Sequence, residues 1–225
     1  MNLEGNKHII VFSHGFGVRK DDRGLLDDIA DYFPEAESKL FDYFDIDEKE
    51  KTLMIRPLSV QVKMLNDVID QARKSNPEAI IDLICHSQGT VVAALAKPDG
   101  IRKTIFLAPV FDMSLEHTLE RHKSYPDSVI DLNGVSKLYP LDGLVRFVPA
   151  EYWAERKNIK TFEEYNSFAE KTDLIVIEAN QDKVLPKVDL KELSPKIKLM
   201  PLDGDHSFDG IYREPLKKAL KLLLS

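Results

Sequence analysis

The sequence predicts an α/β domain with a mostly parallel central sheet of about six strands, flanked by helices. Short apolar runs alternate along the chain with segments whose apolar residues recur at helical spacing. This alternation favours parallel strands with helices on both faces of the sheet. The 225 residues are enough for one domain with a buried core. Apolar residues make up 43% of the chain and charged residues 31%, values typical of folded globular proteins.

The first half of the chain supplies two predicted strands and two predicted helices. Residues 8–15, HIIVFSHG, contain a run of three β-branched residues and end in glycine, which is typical of a buried strand that enters a loop. Residues 24–33 have apolar residues at helical spacing, and Pro34 ends this helix. Residues 38–46 predict a second strand, and residues 60–74 predict a helix with one apolar face.

The second half continues the alternation. Residues 79–85, AIIDLIC, predict a strand. Residues 89–97, GTVVAALAK, predict a helix that is apolar on all sides and is therefore expected to lie buried between layers. A closing helix is expected to begin near Tyr212. Three more strands are predicted at residues 103–109, 173–180 and 196–202.

The alternation fails between residues 111 and 171. This segment is rich in aromatic residues and shows interrupted helical patterns. We therefore expect a small, mainly helical insertion over the ends of the strands, rather than a long bare loop. The predicted organisation is a core made of residues 1–110 and 172–225, with residues 111–171 inserted into it.

Composition argues against several classes of partner. The net charge of −7 and the isoelectric point near 5.4 argue against a nucleic acid or an anionic membrane as the main partner. No apolar run reaches the roughly 20 residues of a membrane span, and the first residues lack the pattern of a signal peptide. Cys85 is the only cysteine, which suits a reducing compartment. We therefore expect a cytoplasmic protein without a nucleic-acid or membrane partner.

Ser87 stands where a strand turns sharply into a helix, within the sequence LICHSQGT at residues 83–90. Such a turn strains the backbone at the serine and needs small residues two places on either side. Gly89 meets this requirement downstream, and Cys85 is compact enough upstream. The turn would project the hydroxyl above the sheet at the positive end of the helix dipole, which favours a nucleophile.

A serine hydroxyl needs a neighbouring base to take its proton, and the base needs a carboxylate to orient it. The predicted base is His206, just after the last predicted strand. The predicted acid is Asp182, which follows the strand at residues 173–180. Asp203 and Asp205 are closer in sequence to His206, but a carboxylate so near in the chain cannot easily reach the far ring nitrogen. We therefore favour Asp182.

HGFG at residues 14–17 follows the first strand and supplies the fourth component. A chain that turns back there can aim a backbone N–H, that of Phe16, toward Ser87, and the N–H of Gln88 would complete an oxyanion hole. His14 is expected to orient this loop without transferring a proton, and His86 is expected to pack beside the turn.

These four elements resemble those of the α/β-hydrolase superfamily, from about residue 8 to the C-terminus. The order Ser87, Asp182, His206, with HGFG upstream, matches that superfamily's order of nucleophile, acid and base. The resemblance implies an α/β-hydrolase fold in which residues 111–171 form the cap. The motifs HGF and HSQG with a small aromatic-rich cap look most like compact carboxylesterases, including feruloyl and cinnamoyl esterases.

The chain also departs from that pattern. Cys85 stands where most members have glycine, and Asn180 stands where many have glycine before the acid. The chain begins near the superfamily's third strand, which leaves a shortened sheet of six strands. A second subunit could cover the exposed first edge of that sheet in a homodimer.

The predicted function is hydrolysis of a small carboxylic ester through an acyl-enzyme at Ser87, with no metal and no organic cofactor. Tyr152 and Trp153 are candidates to line a pocket for an apolar acyl group, although cap aromatics more often form a small core. A peptidase, amidase or thioesterase would use the same side chains. A non-catalytic binding protein of the same fold is the alternative from another class, and it would be expected to have lost a catalytic side chain.

Overall fold

The computed structural model describes residues 6–123, 125–140 and 142–224. Within these ranges the chain forms ten strands and seven α-helices, numbered in chain order. Their bounds are β1 His8–Ser13, α1 Leu25–Tyr32, β2 Glu37–Lys39, β3 Asp45–Asp47, β4 Thr52–Met54, α2 Leu58–Ser75, β5 Ile80–His86, α3 Gln88–Ala96, β6 Lys103–Leu107, α4 Leu115–Lys123, β7 Val135–Leu138, β8 Val145–Pro149, α5 Ala150–Arg156, α6 Thr161–Phe168, β9 Asp173–Ala179, β10 Lys198–Leu202 and α7 Arg213–Leu224.

Six of these strands form the central sheet, in the order β10-β9-β6-β5-β1-β2. All of the neighbouring pairs are parallel, with Ser13 of β1 opposite Cys85 of β5 and with Leu107 of β6 opposite Ile177 of β9. Because the strands are parallel, their carboxyl ends lie along one edge, where the loops after β1, β5, β9 and β10 meet. The predicted α/β class with a six-stranded parallel sheet is confirmed.

Helices cover both faces of this sheet, as the nearly continuous apolar sequence of its inner strands requires. Successive residues of a strand point to opposite faces, so Ile9 of β1 packs in one core cluster and Ile10 in the other. The first cluster includes the apolar faces of α2 and α3, and the second includes those of α1 and α7. The predicted burial of the helix after Ser87 is observed, since seven of its nine residues are buried.

The single strand predicted at residues 38–46 is not observed. This stretch contains the end of β2, which is the edge strand of the central sheet, and the beginning of β3, which belongs to a second sheet. The second sheet has the order β3-β4-β8-β7, so it joins residues 45–54 to two strands of the predicted insertion. Strand propensity identified an extended segment here but not its partner, because pairing depends on distant residues.

The predicted insertion, residues 111–171, contains α4, β7, β8, α5 and α6 in its described part, and residues 124 and 141 lie outside the described ranges. Its last helix, α6, packs on the core: the Tyr165 ring lies 5.0 Å from that of Phe106, and the Tyr165 hydroxyl donates to the carbonyl of Val110 at 2.7 Å. The division into core and cap at residues 111 and 171 stays a prediction.

None of the helices within the described residues is both long enough and apolar enough to cross a membrane.

Candidate active site

Ser87 occupies the turn between β5 and α3 with a strained backbone. Its φ is 51° and its ψ is −124°, a region that residues with a side chain rarely adopt. The turn is held by hydrogen bonds on both sides of the serine: the Ser87 N–H donates to the carbonyl of Leu107 at 3.0 Å, and the Thr90 hydroxyl donates to the Ser87 carbonyl at 2.6 Å. The surrounding structure therefore holds the hydroxyl at the carboxyl edge of the sheet.

Two glycines allow the turn to pack closely. A Cβ at Gly89 would lie 2.6 Å from the carbonyl carbon of Ser13 at the end of β1, so only glycine fits there. A Cβ at Gly15 would lie 3.2 Å from the Cβ of Ser87, which places the loop after β1 directly against the serine. The sequence predicts a small residue at position 89, and the Ser13 carbonyl is the group with which a larger side chain there would clash.

The structure brings Ser87, His206 and Asp182 together. His206 Nε2 lies 3.0 Å from Ser87 Oγ, and His206 Nδ1 lies 2.7 Å from Asp182 Oδ2. Because Asp182 is ionised, the Nδ1–H must donate to it, which leaves Nε2 free to accept the proton of the Ser87 hydroxyl. The other carboxylate oxygen, Oδ1, accepts from the N–H groups of Val184 and Leu185 at 2.7 and 3.1 Å.

The two other carboxylates considered for this position are engaged elsewhere. Asp205 Oδ1 accepts from the N–H of Asp209 at 3.0 Å, and Asp203 Oδ1 accepts from the side-chain amide of Asn180 at 3.4 Å. The side-chain carboxylate that accepts a hydrogen bond from His206 is therefore that of Asp182.

Burial and hydrogen bonding shift the pKa values of this pair. Burial by itself would raise the pKa of Asp182, but the hydrogen bond from His206 and those from two backbone N–H groups outweigh it and lower that pKa. The pKa of His206 is lowered from its ordinary value of 6.5, first by burial and also by the charge of His86, while Asp182 opposes the shift. His206 is 9% exposed.

The loop after β1 carries the predicted oxyanion donor, the N–H of Phe16. His14 shapes this loop: its Nε2 accepts from the N–H of Tyr43 at 3.0 Å, so its Nδ1 carries the proton and donates to the carbonyl of Gly15 at 2.9 Å. Burial lowers the pKa of His14, which agrees with a neutral ring. The N–H of Gln88, the other predicted donor, begins α3 directly after the serine.

Sequence reasoning missed a buried ion pair beside Ser87. His86 Nδ1 lies 2.7 Å from Asp22 Oδ2, and its Nε2 donates to the backbone carbonyl of His206 at 2.8 Å. The Asp22 carboxylate also accepts from the N–H of Gly15 at 2.8 Å. His86 was expected only to pack beside the turn, but it joins the loop after β1, the serine turn and the backbone of His206.

The geometry makes His86 a cation. With a carbonyl at Nε2 and a carboxylate at Nδ1, both ring nitrogens must donate. Burial opposes this charge, but the contact with Asp22 outweighs it and raises the pKa of His86. Burial also opposes the charge of Asp22, yet the His86 ion pair and the N–H of Gly15 lower its pKa to about 2.

A buried polar chain links the predicted insertion to Gln88. The Tyr152 hydroxyl donates to Gln88 Oε1, and Gln88 Nε2 donates to Gln61 Oε1 at 3.1 Å. The ring of Tyr152 also lies 5.4 Å from that of Phe16, tilted by 37°. The side chain of Tyr152 thus contacts both residues whose N–H groups were predicted to form the oxyanion hole.

Trp153 does not occupy the position expected for it. It is 1% exposed, its Nε1–H donates to Ser136 Oγ at 3.0 Å, and it is not among the residues that line the cavity at Ser87. Tyr152 does line that cavity. The next residue of a helix points about 100° away, which is why only one of this adjacent pair faces the site.

The cavity above Ser87 has a volume of about 160 Å³. Its walls come from the loop after β1, the serine turn, the loop after β9 and the helices α4 and α5. The residues that contribute include Phe16, Val110, Tyr152, Leu185 and His206. Within the described ranges, the structure has no group of three or more His, Cys, Asp or Glu side chains placed to hold a metal ion.

The lowered pKa of His206 predicts the pH dependence of a reaction that uses it as a base. The neutral ring is required, so kcat/KM should fall as the pH drops through the pKa of the free enzyme, with a midpoint below 6.5. Replacing His86 by asparagine removes a neighbouring cation and leaves the Asp22 carboxylate without its ion pair. Both changes favour the protonated form of His206, so the midpoint should move to higher pH.

The measurement is kcat/KM for a neutral ester between pH 4.5 and about 8. The His117→Asn variant is the matched control, because His117 is another histidine in the cavity wall and its substitution should leave the midpoint in place. A midpoint above 6.5 in the unmodified protein, or one that moves with His117 and not with His86, would contradict this account.

Comparison with solved structures identifies the fold of the chain. No protein-family model matches the chain, and no curated protein sequence matches it either. Among solved structures, Est1E from Butyrivibrio proteoclasticus with bound ferulic acid superimposes with a TM-score of 0.71 at 19% identity, covering 97% of this chain and 88% of that one. The chain therefore has the α/β-hydrolase fold.

Two further structures share it. The Pyrococcus furiosus esterase Pf2001 has a TM-score of 0.65 at 14% identity, covering 98% of this chain and 82% of its own. The monoacylglycerol lipase of Paleococcus ferrophilus has a TM-score of 0.62 at 15% identity, covering 96% of this chain and 93% of its own.

Proposed function

We propose that this protein is a serine hydrolase that cleaves carboxylic esters through an acyl-enzyme at Ser87. One observation carries the proposal: Ser87 Oγ lies 3.0 Å from His206 Nε2, while the other nitrogen of the same ring lies 2.7 Å from Asp182. A hydroxyl, an oriented base and a carboxylate in this arrangement are the components of acyl transfer.

In the first step, Ser87 Oγ attacks the carbonyl carbon of the ester as His206 Nε2 takes its proton. Asp182 holds the ring so that Nε2 accepts, and it stabilises the imidazolium that forms. The N–H groups of Phe16 and Gln88 would hold the negative oxygen of the tetrahedral intermediate, which collapses as His206 gives its proton to the leaving alcohol. The product of this step is an ester between the acyl group and Ser87.

In the second step, a water molecule takes the place of the alcohol. His206 removes a proton from this water, which attacks the acyl carbon and forms a second tetrahedral intermediate. The Ser87–acyl bond then breaks, the serine oxygen regains its proton from His206, and the carboxylic acid leaves. The ion pair of His86 with Asp22 keeps the backbone of His206 in place throughout, since His86 donates to the His206 carbonyl.

Ester chemistry is favoured over amide chemistry by the solved structures that share the fold and by the contacts of one arginine. Of the solved structures described above, one is named as an esterase and one as a monoacylglycerol lipase, and Est1E has ferulic acid bound. A peptidase would need a charged anchor for a peptide terminus, and Arg146 is not available for this role: it donates to the carbonyl of Gly17 at 2.6 Å and pairs with Asp142. Arg156 does line the cavity.

The proposal predicts labelling by a fluorophosphonate probe at Ser87, and turnover of p-nitrophenyl esters with a preference for one acyl length. Labelling is read by intact-protein and peptide mass spectrometry, and turnover by release of p-nitrophenolate. Matched thioesters and aminoacyl amides are run beside the esters, so a faster rate on either would move the assignment to a thioesterase or an amidase. Absence of both labelling and turnover would favour a binding protein of the same fold.

A further inference from the structure

Arg156 lies in the wall of the proposed active site with much of its hydrogen-bonding capacity unused. Its side chain lines the same cavity as Ser87, and the residue is only 8% exposed. Nη1 donates to the Tyr152 hydroxyl at 3.3 Å, and Nη2 donates to Thr118 Oγ1 at 2.8 Å. Its Nε is buried and has no hydrogen-bond partner among the described residues. Since a guanidinium has five N–H donors, three have no acceptor within the part of the chain that the structure describes.

Both acceptors of Arg156 are neutral hydroxyls. None of the ion pairs between described residues includes Arg156, so its positive charge is buried without a protein carboxylate. An unpaired buried charge is costly, so we expect a bound ligand or substrate to supply the counter-charge. The other buried cationic side chains near the site each pair with a carboxylate of the protein: Arg146 pairs with Asp142, and His86 pairs with Asp22.

The charges around the cavity favour an anion as well. Three arginines line it, Arg23, Arg121 and Arg156, against two aspartates, and Arg23 pairs at 3.7 Å with Asp142, which is not part of the cavity wall. One of these aspartates, Asp22, is already neutralised by His86. The other, Asp112, accepts from the N–H and the hydroxyl of Ser114, at 2.7 and 3.0 Å. The protein as a whole has a net charge of −7, so this positive cavity is a local feature.

We propose that the substrate is an ester with an anionic group, a carboxylate or a phosphate, that binds to Arg156. This inference rests on the proposed hydrolase function and names the substrate class of the same site. A planar carboxylate can accept from two N–H groups of the guanidinium fork, and phosphate oxygens fit the same donors. The Tyr152 hydroxyl, which links Arg156 to Gln88, would orient the guanidinium beside the residue proposed for the oxyanion hole.

Two pairs of shape-matched esters test this inference. The acyl-side pair is p-nitrophenyl hydrogen adipate and p-nitrophenyl 6-methylheptanoate, in which an isopropyl group replaces the carboxylate. The alcohol-side pair is 4-carboxyphenyl butanoate and 4-isopropylphenyl butanoate. Because a charged hydrogen bond is worth about a 10- to 100-fold effect, we expect kcat/KM for the anionic member of one pair to exceed that of its neutral partner by about this factor. A phosphate in place of the carboxylate, in the favoured pair, shows which anion is preferred.

The Arg156→Gln variant should abolish this preference, lowering the ratio of anionic to neutral kcat/KM by about 10- to 100-fold. Arg156→Lys should retain part of it, since the charge remains without the fork. The ratio is the readout because a general disturbance of Tyr152 would lower both rates together. Arg19→Gln is the matched control: Arg19 is exposed, pairs with Glu48 and does not line the cavity, so its ratio should equal that of the unmodified protein.

The outcomes separate the two proposals. Hydrolysis of neutral and anionic members at equal kcat/KM in both pairs, or an unchanged ratio in Arg156→Gln, would overturn the anion site and leave the esterase proposal standing. No hydrolysis of any member, together with no fluorophosphonate label on Ser87, would overturn the proposed function and this inference with it.

Discussion

Replacing Ser87 by alanine is expected to lower kcat for p-nitrophenyl esters by about 10⁶-fold and to abolish fluorophosphonate labelling. The hydroxyl lies beside the proposed base, with Oγ 3.0 Å from His206 Nε2, and Ser87 lines the cavity that would hold the substrate. Without it no acyl-enzyme forms, and the remaining rate comes from substrate binding and the oxyanion donors. The measurement is single-turnover and steady-state release of p-nitrophenolate, beside intact-protein mass spectrometry of the probe adduct.

Ser207→Ala is the control for this experiment. Ser207 lines the same cavity and lies next to the proposed base, so it tests whether any serine near His206 would serve. Its loss should change kcat by less than about threefold, as expected of a side chain outside the reaction. A Ser87→Ala protein that keeps its turnover and its label would rule out the nucleophile proposed here.

Replacing Asp182 by asparagine is expected to lower kcat by about 10⁴-fold with little change in fold. The asparagine carbonyl can still accept from the N–H groups of Val184 and Leu185, so the loop after β9 should keep its shape. The amide nitrogen would then donate to His206 Nδ1. This reverses the tautomer, because the ring proton must move to Nε2, where it can no longer accept from Ser87.

Asp205→Asn is the matched substitution, one residue from the same histidine. Asp205 accepts from the N–H of Asp209, so its change should cost less than about threefold in kcat. His206→Ala provides the reference loss. If Asp205→Asn matched that loss and Asp182→Asn did not, the acid would have to be reassigned, and the 2.7 Å contact between His206 and Asp182 would have no catalytic meaning.

The positions of the three proposed catalytic side chains could be predicted because each follows a strand of one parallel sheet. Ser87 follows β5, Asp182 follows β9 and His206 follows β10, and parallel strands end at a common edge. Apolar periodicity identified these strands to within a few residues. The same reasoning distinguished Asp182 from Asp205, because a carboxylate on a separate loop can approach the far nitrogen of the ring.

The environment of these side chains could not be predicted in the same way. Asp22 lies in a loop without any periodic signal, yet it makes His86 a cation. One strand was predicted at residues 38–46, where the structure has two strands in different sheets, because propensity does not select a partner. Tyr152 and Trp153 were both candidates to line the cavity, and only Tyr152 lines it.

The amino-acid sequence determined the kinds of elements, their order and the residues at the strand ends, since these depend on short-range spacing of apolar and small residues. Only the tertiary structure decided which groups meet: Asp22 with His86, 64 residues apart, and Arg156 with Thr118, 38 residues apart. The charge state of His86 and the substrate preference proposed for Arg156 both depend on such contacts. No local pattern encodes them, because they form only when distant segments pack against one another.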